Sequence, residues 1–393
     1  MPQSSQGMPK VPIFRDPKLR AIAYQVMLCA GLGVLAYAAV RNAAENLAHA
    51  KIASGFGFWN VVAGFDISQT LIEYSSQSST FGRAFWVGLT NTLLVAGLGI
   101  IFATLLGTAI GIARLSKNFL VHRLASGYVE LVRNVPLLLQ LLFWYNAVLK
   151  ALPDFANGFV LPGGLLLNNR GLYMPRPLGV DGWYVALVLV AAALLGYAFN
   201  TLAERSAGAW RSTAVRFPVT LLIVIGAPVA AFLAMGAPLE FEYPQAGRFN
   251  VSGGVEVLPE LVALLFGLVI YTAAFIAEVV RAGLMSVSHG QTEAAQALGL
   301  RRVQTLRLIV IPQAMRVIIP PLTSQYLNLT KNSSLAVAIG YPDLVQIFTG
   351  TVLNITGQAI EVVVITMAVY LSFSLITSLV MNAYNARVAV VER

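Results

Sequence analysis

Residues 288–312 read SHGQTEAAQALGLRRVQTLRLIVIP, a stretch rich in polar and small side chains although long apolar segments flank it on both sides. Ser288 followed by Gln291 has the form of a capping box and predicts that a short helix begins here. Gly299 is expected to end that helix in the left-handed conformation, and Pro312 is expected to end a second helical piece. We interpret the stretch as a docking loop exposed on the cytoplasmic side of a membrane.

The first predicted helix of this loop carries a slim face. Ala294, Ala295 and Ala297 have side chains small enough to let the helix backbone approach a partner closely. Glu293 lies in the first turn, where the helix dipole favours negative charge. The alternative interpretation is an ordinary helical hairpin between two membrane spans, which needs no partner.

The composition places the chain in a membrane. Of the 393 residues, 57% are hydrophobic and only 11% are charged, and the mean hydropathy is +0.73. Soluble domains carry about 25% charged residues. A membrane-spanning helix needs about 20 apolar residues, and the apolar runs here are continuous rather than alternating as in a β-barrel. The predicted fold class is all-α, a polytopic membrane helix bundle.

Eight apolar runs have the composition of membrane spans, and together they predict a topology. Both chain termini and the 288–312 loop are placed in the cytoplasm, because the Lys and Arg residues then concentrate on that side, as the positive-inside rule requires. The predicted spans cover residues 21–40, 85–113, 125–149, 184–202, 217–236, 258–280, 314–339 and 362–383.

The second predicted span is rich in glycine and threonine. Gly107 and Gly111 have the small-xxx-small spacing that lets two membrane helices approach closely, so this span is expected in the middle of the bundle. The residues from Gly55 to Trp59 have two alternative interpretations. Their aromatic rings either lie at a membrane interface or pack within a loop.

The sequence carries no signal for catalysis. Cys29 is the single cysteine, and it lies in an apolar run, which excludes an internal disulfide or a thiolate cluster. No Gly-rich phosphate-binding loop followed by Lys and Ser or Thr is present. No nucleophile with a base and no metal-ligand cluster is visible. We expect a non-catalytic chain that binds no metal or cofactor itself and no nucleic acid, despite a net charge of +9.

Polar residues inside predicted spans are candidates for a substrate pathway or a gate, because such residues are costly in a membrane. Glu130 and Arg133 are three residues apart and can pair on one helix face, either as a structural pair or as a gate. Pro136 is expected to kink that helix. Lys331 can meet a substrate carboxylate, pair with Glu130 or contact another subunit. The candidates are Thr90, Asn91, Glu130, Arg133, Asn328, Lys331, Asn332 and Ser333.

The docking loop resembles a known motif. Glu293-Ala294-Ala295, then Gly299, then Ile309 to Pro312 resemble the EAA loop of the permeases of bacterial ABC importers. That family usually has Leu where this chain has Ile311. In such loops, the resemblance implies, a coupling helix inserts into a cleft of the ATP-hydrolysing subunit. The implied ATPase-coupling residues are Glu293, Ala294, Ala295, Gly299, Ile309 and Pro312.

Further runs resemble the permeases of polar amino acid importers. These runs are GLTNTLLVA at 88–96, residues 130–140, and LTKNSSLA at 329–336. The extra first span and the inserted hairpin resemble the permeases of general L-amino acid importers. The resemblance implies a type I importer core in the bacterial inner membrane, with two ATPase subunits that use ATP and Mg, and a periplasmic amino acid binding protein. It also implies a second permease subunit, either a copy of this chain or a sister chain, and surrounding membrane lipids.

This resemblance divides the chain into four parts. Residues 1–84 hold a basic cytoplasmic tail, the first span and an extracytoplasmic segment, and residues 85–150 form the first part of the permease core. Residues 151–257 hold extracytoplasmic loops and the inserted two-span hairpin. Residues 258–393 form the second part of the core, with the EAA coupling loop at 282–312.

One alternative function from another class stays open at this point. An ion- or proton-coupled secondary amino acid carrier would use acidic residues in the membrane as relays. Glu130 and Glu278 are acidic residues in predicted spans, but both lie near the predicted cytoplasmic ends rather than at the middle.

Overall fold

The structure is a computed structural model, and its described residues are 17–49, 55–154, 157–178, 182–206, 213–234, 241–247 and 250–388. Most of the predicted basic tail, residues 1–16, and the last five residues lie outside the described residues. So do residues 235 and 236 at the end of the fifth predicted span.

Helices account for most of the described chain. They are α1 (Pro17–His49), α2 (Phe81–Ala113), α3 (Phe119–Asn134), α4 (Leu137–Leu142), α5 (Gly182–Arg205), α6 (Thr213–Ala234), α7 (Pro259–Met285), α8 (His289–Ala297), α9 (Arg302–Thr305), α10 (Ile311–Asn332), α11 (Leu353–Thr356) and α12 (Ala359–Val388). Wider π-helical turns cover Phe143–Leu149, Leu306–Val310 and Gln346–Val352, and tighter 3-10 turns cover Phe56–Asn60 and Ser333–Ile339.

The predicted all-α membrane bundle is confirmed. Among the described residues, five helices are long and apolar enough to cross a membrane: Arg20–Asn42, Phe81–Ala113, Pro259–Met285, Arg302–Ile339 and Ala359–Ala383. Three shorter apolar helices, Leu137–Leu149, Leu187–Ala203 and Pro218–Ala230, lie where the remaining spans were predicted.

The third predicted span is broken rather than kinked. Helix α3 ends at Asn134, Val135 is extended, and α4 begins after Pro136. Proline lacks an N–H group and disfavours a helical conformation in the residue before it. The Gln140 side chain donates hydrogen bonds to the carbonyls of Val132 and Val135, at 2.9 and 3.0 Å, and so satisfies backbone groups that the break exposes.

Pro312 does not end a helix, which corrects the sequence prediction. It lies in the first turn of α10, after the π-helical turn at Leu306–Val310. Proline has no N–H to donate, and a local π-helical adjustment, like the turn directly before Pro312, lets a membrane helix continue past it. The helical run therefore continues from Arg302 to Ile339.

Small antiparallel β-sheets occupy the segments that were interpreted as loops. The strands are β1 (Phe159–Leu161), β2 (Leu165–Asn168), β3 (Gly171–Met174), β4 (Arg176–Pro177), β5 (Phe241–Glu242), β6 (Gln245–Ala246), β7 (Val251–Ser252) and β8 (Val255–Val257). Four of them form one sheet in the order β1-β2-β3-β8, and Leu172 lies opposite Val257. Two-stranded sheets pair β4 with β5 and β6 with β7. The strands are too short for a period-two pattern to stand out in the sequence.

The contacts of the chain divide it into two units. The first consists of residues 1–92 and 342–377, as far as they are described. An aromatic cluster forms its core, in which the Trp59 ring centroid lies 5.2 Å from that of Phe85 and 6.2 Å from that of Phe348. Of the two interpretations of residues 55–59, loop packing is therefore the one that the structure favours.

The second unit consists of residues 93–341 and 378–393, as far as they are described. Within it, α7 packs against α3, α4 and α10. Glycines bring α7 close to its neighbours. A Cβ atom added at Gly107 of α2 would lie 2.7 Å from Cβ of Ile276, and one at Gly111 would lie 2.8 Å from the carbonyl oxygen of Ala277. Further along α7, the backbone at Gly283 packs against Ile318 of α10. The close approach predicted for Gly107 and Gly111 is confirmed.

Gly111→Ala is expected to destabilise the protein, since the added methyl group meets the α7 backbone. Overpacking of this kind costs about 1–3 kcal/mol. The thermal unfolding midpoint of the detergent-solubilised protein measures the effect. Gly97→Ala is the matched control on the same helix, because no described atom lies within 4 Å of its added Cβ. Equal midpoints for the two variants would contradict the close packing.

Candidate functional site

Helix α8 and the turn after it form the docking loop that the sequence predicted. Gly299 has φ +73°, its N–H donates to the Gln296 carbonyl at 2.9 Å, and the Leu300 N–H donates to the Ala295 carbonyl at 3.1 Å. These two bonds make a Schellman motif, which requires a left-handed residue and so favours glycine. The predicted end of the helix is confirmed.

The predicted capping box at the start of α8 is wrong. Within the part of the chain that the structure describes, the Ser288 side chain makes no hydrogen bond that caps the helix. The Gln291 N–H donates instead to the Ser288 backbone carbonyl at 3.1 Å, and the Gln291 side chain accepts a hydrogen bond from Gln313 of α10 at 3.3 Å. The side chain of Gln291 thus joins α8 to α10.

The loop exposes apolar as well as polar side chains. Leu298 is 79% exposed and Val303 is 73% exposed, whereas Ala295 is buried within the unit. Glu293 lies beyond the first turn of α8, which corrects the prediction that it lies within that turn. It is exposed and pairs with Nδ1 of His289 at 2.9 Å. The predicted coupling set also includes one partly buried residue, Ile309, and three exposed ones, Ala294, Gly299 and Pro312. Exposed apolar side chains rimmed by polar residues are one mark of a partner-binding surface where they form a contiguous patch.

Four charged side chains, which we call the Glu278 cluster, meet near the end of α7 that leads into this loop. The cluster consists of Arg114, Arg133, Glu278 and Arg281. Arg114 pairs with the Glu278 carboxylate, and Nη2 of Arg281 lies 2.5 Å from its other oxygen. Nη1 of Arg133 lies 3.9 Å from the carboxylate, and its guanidinium lies 5.0 Å from the Phe275 ring centroid. One carboxylate therefore lies within ion-pair distance of three arginine side chains.

The predicted pair between Glu130 and Arg133 is replaced by this cluster. Among the described residues, Glu130 makes no ion pair, and the carboxylate partner of Arg133 is Glu278. Helix α3 presents Glu130 and Arg133 to a cavity of about 330 Å³, which Asn134, Arg114 and Phe275 also line. The sequence contained a signal for the cluster, since Glu278 and Arg281 have the same spacing as Glu130 and Arg133.

The candidate polar residues at the end of α10 and at the start of the 3-10 turn after it differ in exposure. Asn328 and Lys331 are exposed and Asn332 is partly buried, whereas Ser333 is fully buried and donates to the Thr330 carbonyl at 2.8 Å. In the described part of the chain, Lys331 forms no ion pair, so the pairing with Glu130 is not observed.

Thr90 and Asn91 lie in the first unit and bond to its backbone. The Thr90 hydroxyl donates to carbonyls one turn earlier in α2. Asn91 is fully buried, and its amide donates to the carbonyls of Gln69 and Pro342, at 2.9 and 2.8 Å. The Asn91 side chain thus joins α2 to two connecting segments that are distant in sequence.

Asp343 is a buried residue that the sequence analysis missed. Its carboxylate accepts a hydrogen bond from the Gln346 N–H at 2.8 Å, and the Tyr370 hydroxyl lies 3.3 Å from its other oxygen. Burial raises the pKa of Asp343 to about 7. The signal was an aspartate just before a helical run, where its carboxylate can cap the first turn. Across the described residues, no group of three or more His, Cys, Asp or Glu side chains could hold a metal ion.

Asn91→Ala is expected to lower the free energy of unfolding by about 1–3 kcal/mol, because it leaves one buried and one partly buried carbonyl without their donor. The thermal unfolding midpoint and amide hydrogen exchange at residues 343–345 measure the loss. Asn354→Ala is the matched control, since the Asn354 amide makes an exposed hydrogen bond within one helical run. Unchanged exchange in Asn91→Ala would contradict the role of Asn91 in joining these segments.

Asp343 is expected to make stability depend on pH. Its pKa in the folded state, about 7, lies above the ordinary value of 3.8, so the folded protein binds a proton that the unfolded chain releases. The contribution of Asp343 to the free energy of unfolding is complete below pH 3.8 and is lost as the pH rises toward 7. Thermal midpoints across this range should fall less steeply in Asp343→Asn than in the wild type. The exposed Asp66→Asn is the control and should keep the wild-type slope.

Comparisons with known proteins agree with this architecture. Residues 99–390 match the family described as "Binding-protein-dependent transport system inner membrane component". The putative amino-acid ABC transporter permease protein YhdX of Escherichia coli (strain K12) is 48% identical over 385 residues, which cover 97% of each chain. The general L-amino acid transport system permease protein AapQ of Rhizobium johnstonii is 48% identical over 379 residues, covering 96% of this chain and 94% of that protein.

A third relative is more distant. The glutamate/glutamine/aspartate/asparagine transport system permease protein BztB of Rhodobacter capsulatus is 41% identical over 414 residues, which cover 96% of each chain. The match to the family spans most of this chain, and the relatives extend along nearly all of it. The chain therefore belongs to the family of binding-protein-dependent transport system inner membrane components, as its resemblance to the importer permeases predicted.

Proposed function

We propose that this chain is the membrane-spanning permease subunit of an ATP-driven ABC importer for amino acids, coupled to ATPase subunits through the 288–312 loop. The observation that carries the coupling proposal is the exposed helix α8, which is followed by the exposed apolar residues Leu298 and Val303. Two relatives at 48% identity are named as permeases of amino acid transport, and they support the substrate class.

The contact with the ATPase would form on the exposed side of α8. Glu293, Ala294 and Gly299 lie on this surface, and Leu298 adds an apolar side chain that a cleft in the partner can bury. Ala295 is buried and would act by holding the helix against its own unit. Ile309 and Pro312 belong to the run into α10 and would pass the movement of the loop to that helix.

The chain would use energy that its partner supplies. We propose that ATP and Mg bind to the ATPase subunits and that the permease is not itself catalytic. Closure of an ATPase pair around ATP would displace each docked α8. The permease bundle would then change the side of the membrane to which its pathway opens. Such a shift requires that α8 bind the ATPase differently in the two states.

Broad-range polar L-amino acids are the proposed substrates. AapQ is named as a general L-amino acid permease, and BztB is named for four acidic or amide amino acids. Within this chain, Glu130, Arg133, Asn328, Lys331 and Asn332 are the candidates for the pathway or gate, because their side chains are exposed or partly exposed. We assign a structural role to Thr90, Asn91 and Ser333, because their side chains donate hydrogen bonds to backbone carbonyls of this chain.

The remaining organisation is proposed on the same basis. The importer would contain a second permease, either a copy of this chain or a sister chain, and a periplasmic amino acid binding protein. The chain is a multi-span membrane protein, consistent with the bacterial inner membrane. We place both termini and the 282–312 loop in the cytoplasm, and residues 151–178 and 241–257 outside.

Uptake into membrane vesicles separates this proposal from an ion-coupled secondary carrier. Vesicles that contain the complete importer and internal ATP should accumulate radiolabelled L-amino acids after a protonophore has collapsed the ion gradient. Uptake that persists without ATP but stops with the protonophore would favour the secondary carrier.

Gly299→Asp is expected to reduce ATP-driven uptake by more than about tenfold and to release the ATPase during purification, while the permease still enters the membrane. The charged side chain would be buried unpaired at the proposed contact, which costs at least about 2 kcal/mol. Gly357→Asp is the matched control, because Gly357 has a similar φ of +69° and no described atom within 4 Å of an added Cβ. Normal uptake in Gly299→Asp would refute the coupling role of the loop.

A further inference from the structure

The Glu278 cluster joins three parts of the second unit through one carboxylate. Arg114 follows the end of α2, Arg133 lies on α3, and Glu278 and Arg281 lie on α7. The side chain of Arg114 is only 12% exposed and that of Glu278 is 28% exposed, so both charges are largely removed from water. Removing one partner from such a pair leaves the other charge uncompensated, at a high cost.

The position of the cluster along α7 connects it to the docking loop. Helix α7 continues from Glu278 for two further turns to Met285, and α8 begins at His289. A displacement of α8 therefore acts directly on the end of α7. The backbone contact at Gly111 adjoins the cluster on one side, and the contact at Gly283 lies between the cluster and the loop.

Close packing and ion pairing act differently when a helix moves. The glycine contacts have no free space and resist compression, so they pass a push from one helix to the next. The ion pairs also resist separation, because arginine and carboxylate attract each other in a site with little water. The cluster therefore adds resistance to a pull beyond the dispersion attraction between the apolar surfaces of α7 and its neighbours.

We infer that Glu278 is a positioning residue that ties α7 to α3 and to the end of α2, so that movement of the docked α8 reaches these helices in both directions of the transport cycle. The inference rests on the proposed function, in which α8 contacts the ATPase. Glu278 has no assigned contact with substrate. Its role is to couple ATP hydrolysis to transport, and its replacement should allow hydrolysis without transport.

The test uses the complete importer, purified with its ATPase subunits and binding protein and reconstituted into proteoliposomes. The measured quantity is the amount of a mixture of radiolabelled L-amino acids imported per ATP hydrolysed. The variants are Glu278→Gln, Arg114→Gln, the double variant, and the charge-conserving Glu278→Asp. Glu45→Gln is the control, because Glu45 forms an exposed ion pair with Arg41 on α1.

Each of the two single glutamine variants is expected to lower the transport-to-hydrolysis ratio about tenfold, within the usual range of coupling free energies between sites. The transport-to-hydrolysis ratio of the double variant should be no lower than that of the more impaired single variant, because the two single substitutions remove the same interaction. Glu278→Asp should retain most of the ratio, and Glu45→Gln should match the wild type. ATPase subunits should remain bound in every variant.

Three results would overturn the inference. The first is a wild-type ratio in Glu278→Gln. The second is a double variant whose loss is the product of the two single losses, about a hundredfold, since the residues would then act independently. The third is failure of Glu278→Gln and Glu278→Asp alike to assemble, which would assign Glu278 to folding alone.

Failure of the proposed function has a different signature. Import of amino acids by the wild-type complex without ATP hydrolysis would contradict the proposed coupling role of the loop. So would retention of the ATPase subunits by the Gly299→Asp complex. The Glu278 variants leave α8 and Gly299 unchanged. The amount of amino acid that they import per ATP hydrolysed therefore tests the role of the Glu278 cluster separately from that of the loop.

Discussion

The close approach of helix backbones at α7 is the constraint on which the second unit depends. Hydrocarbon surroundings give two apolar helices no hydrophobic reason to associate, so packing and polar contacts must hold them together. Gly107 and Gly111 of α2 let that helix meet α7 at van der Waals distance, and Gly283 does the same for α10. Larger side chains at these places would separate the helices and also move Glu278 away from Arg114.

Polar side chains in this protein serve two different purposes. Asn91, Gln140 and Ser333 satisfy backbone carbonyls at helix breaks and chain crossings, where an unpaired group would be costly. Lys331 and Asn328 remain exposed on α10. Both groups look alike in a sequence, because each is a polar residue in an apolar run. Burial and hydrogen bonding separate them.

The sequence predicted the helical parts of the fold well. Continuous apolar runs of about 20 residues have few alternatives to a helix in a membrane, and the helices lie where those runs are. The end of α8 at Gly299 was predictable for a similar reason, since a left-handed residue strongly favours glycine. Local rules sufficed wherever the cause lay within a few residues.

Local rules failed where distant segments decide the outcome. Pro136 separates two helices whereas Pro312 lies within a continuous helical run, although both follow apolar residues in the sequence. Strand β3 pairs with β8, which lies about eighty residues later and is separated from it by a helical hairpin, so neither strand carries its own signal. Arg133 had Glu130 within reach on its own helix, yet it contacts Glu278 of α7.

The sequence alone determined the membrane class, the approximate span positions and the helical loop at 288–312, because hydropathy, chain length and glycine conformation are properties of short segments. Only the tertiary structure decided which charges pair, which polar groups are buried and which face of α8 is exposed. These depend on the distances between helices, and a distance between residues far apart in the chain is set by packing rather than by the residues on either side.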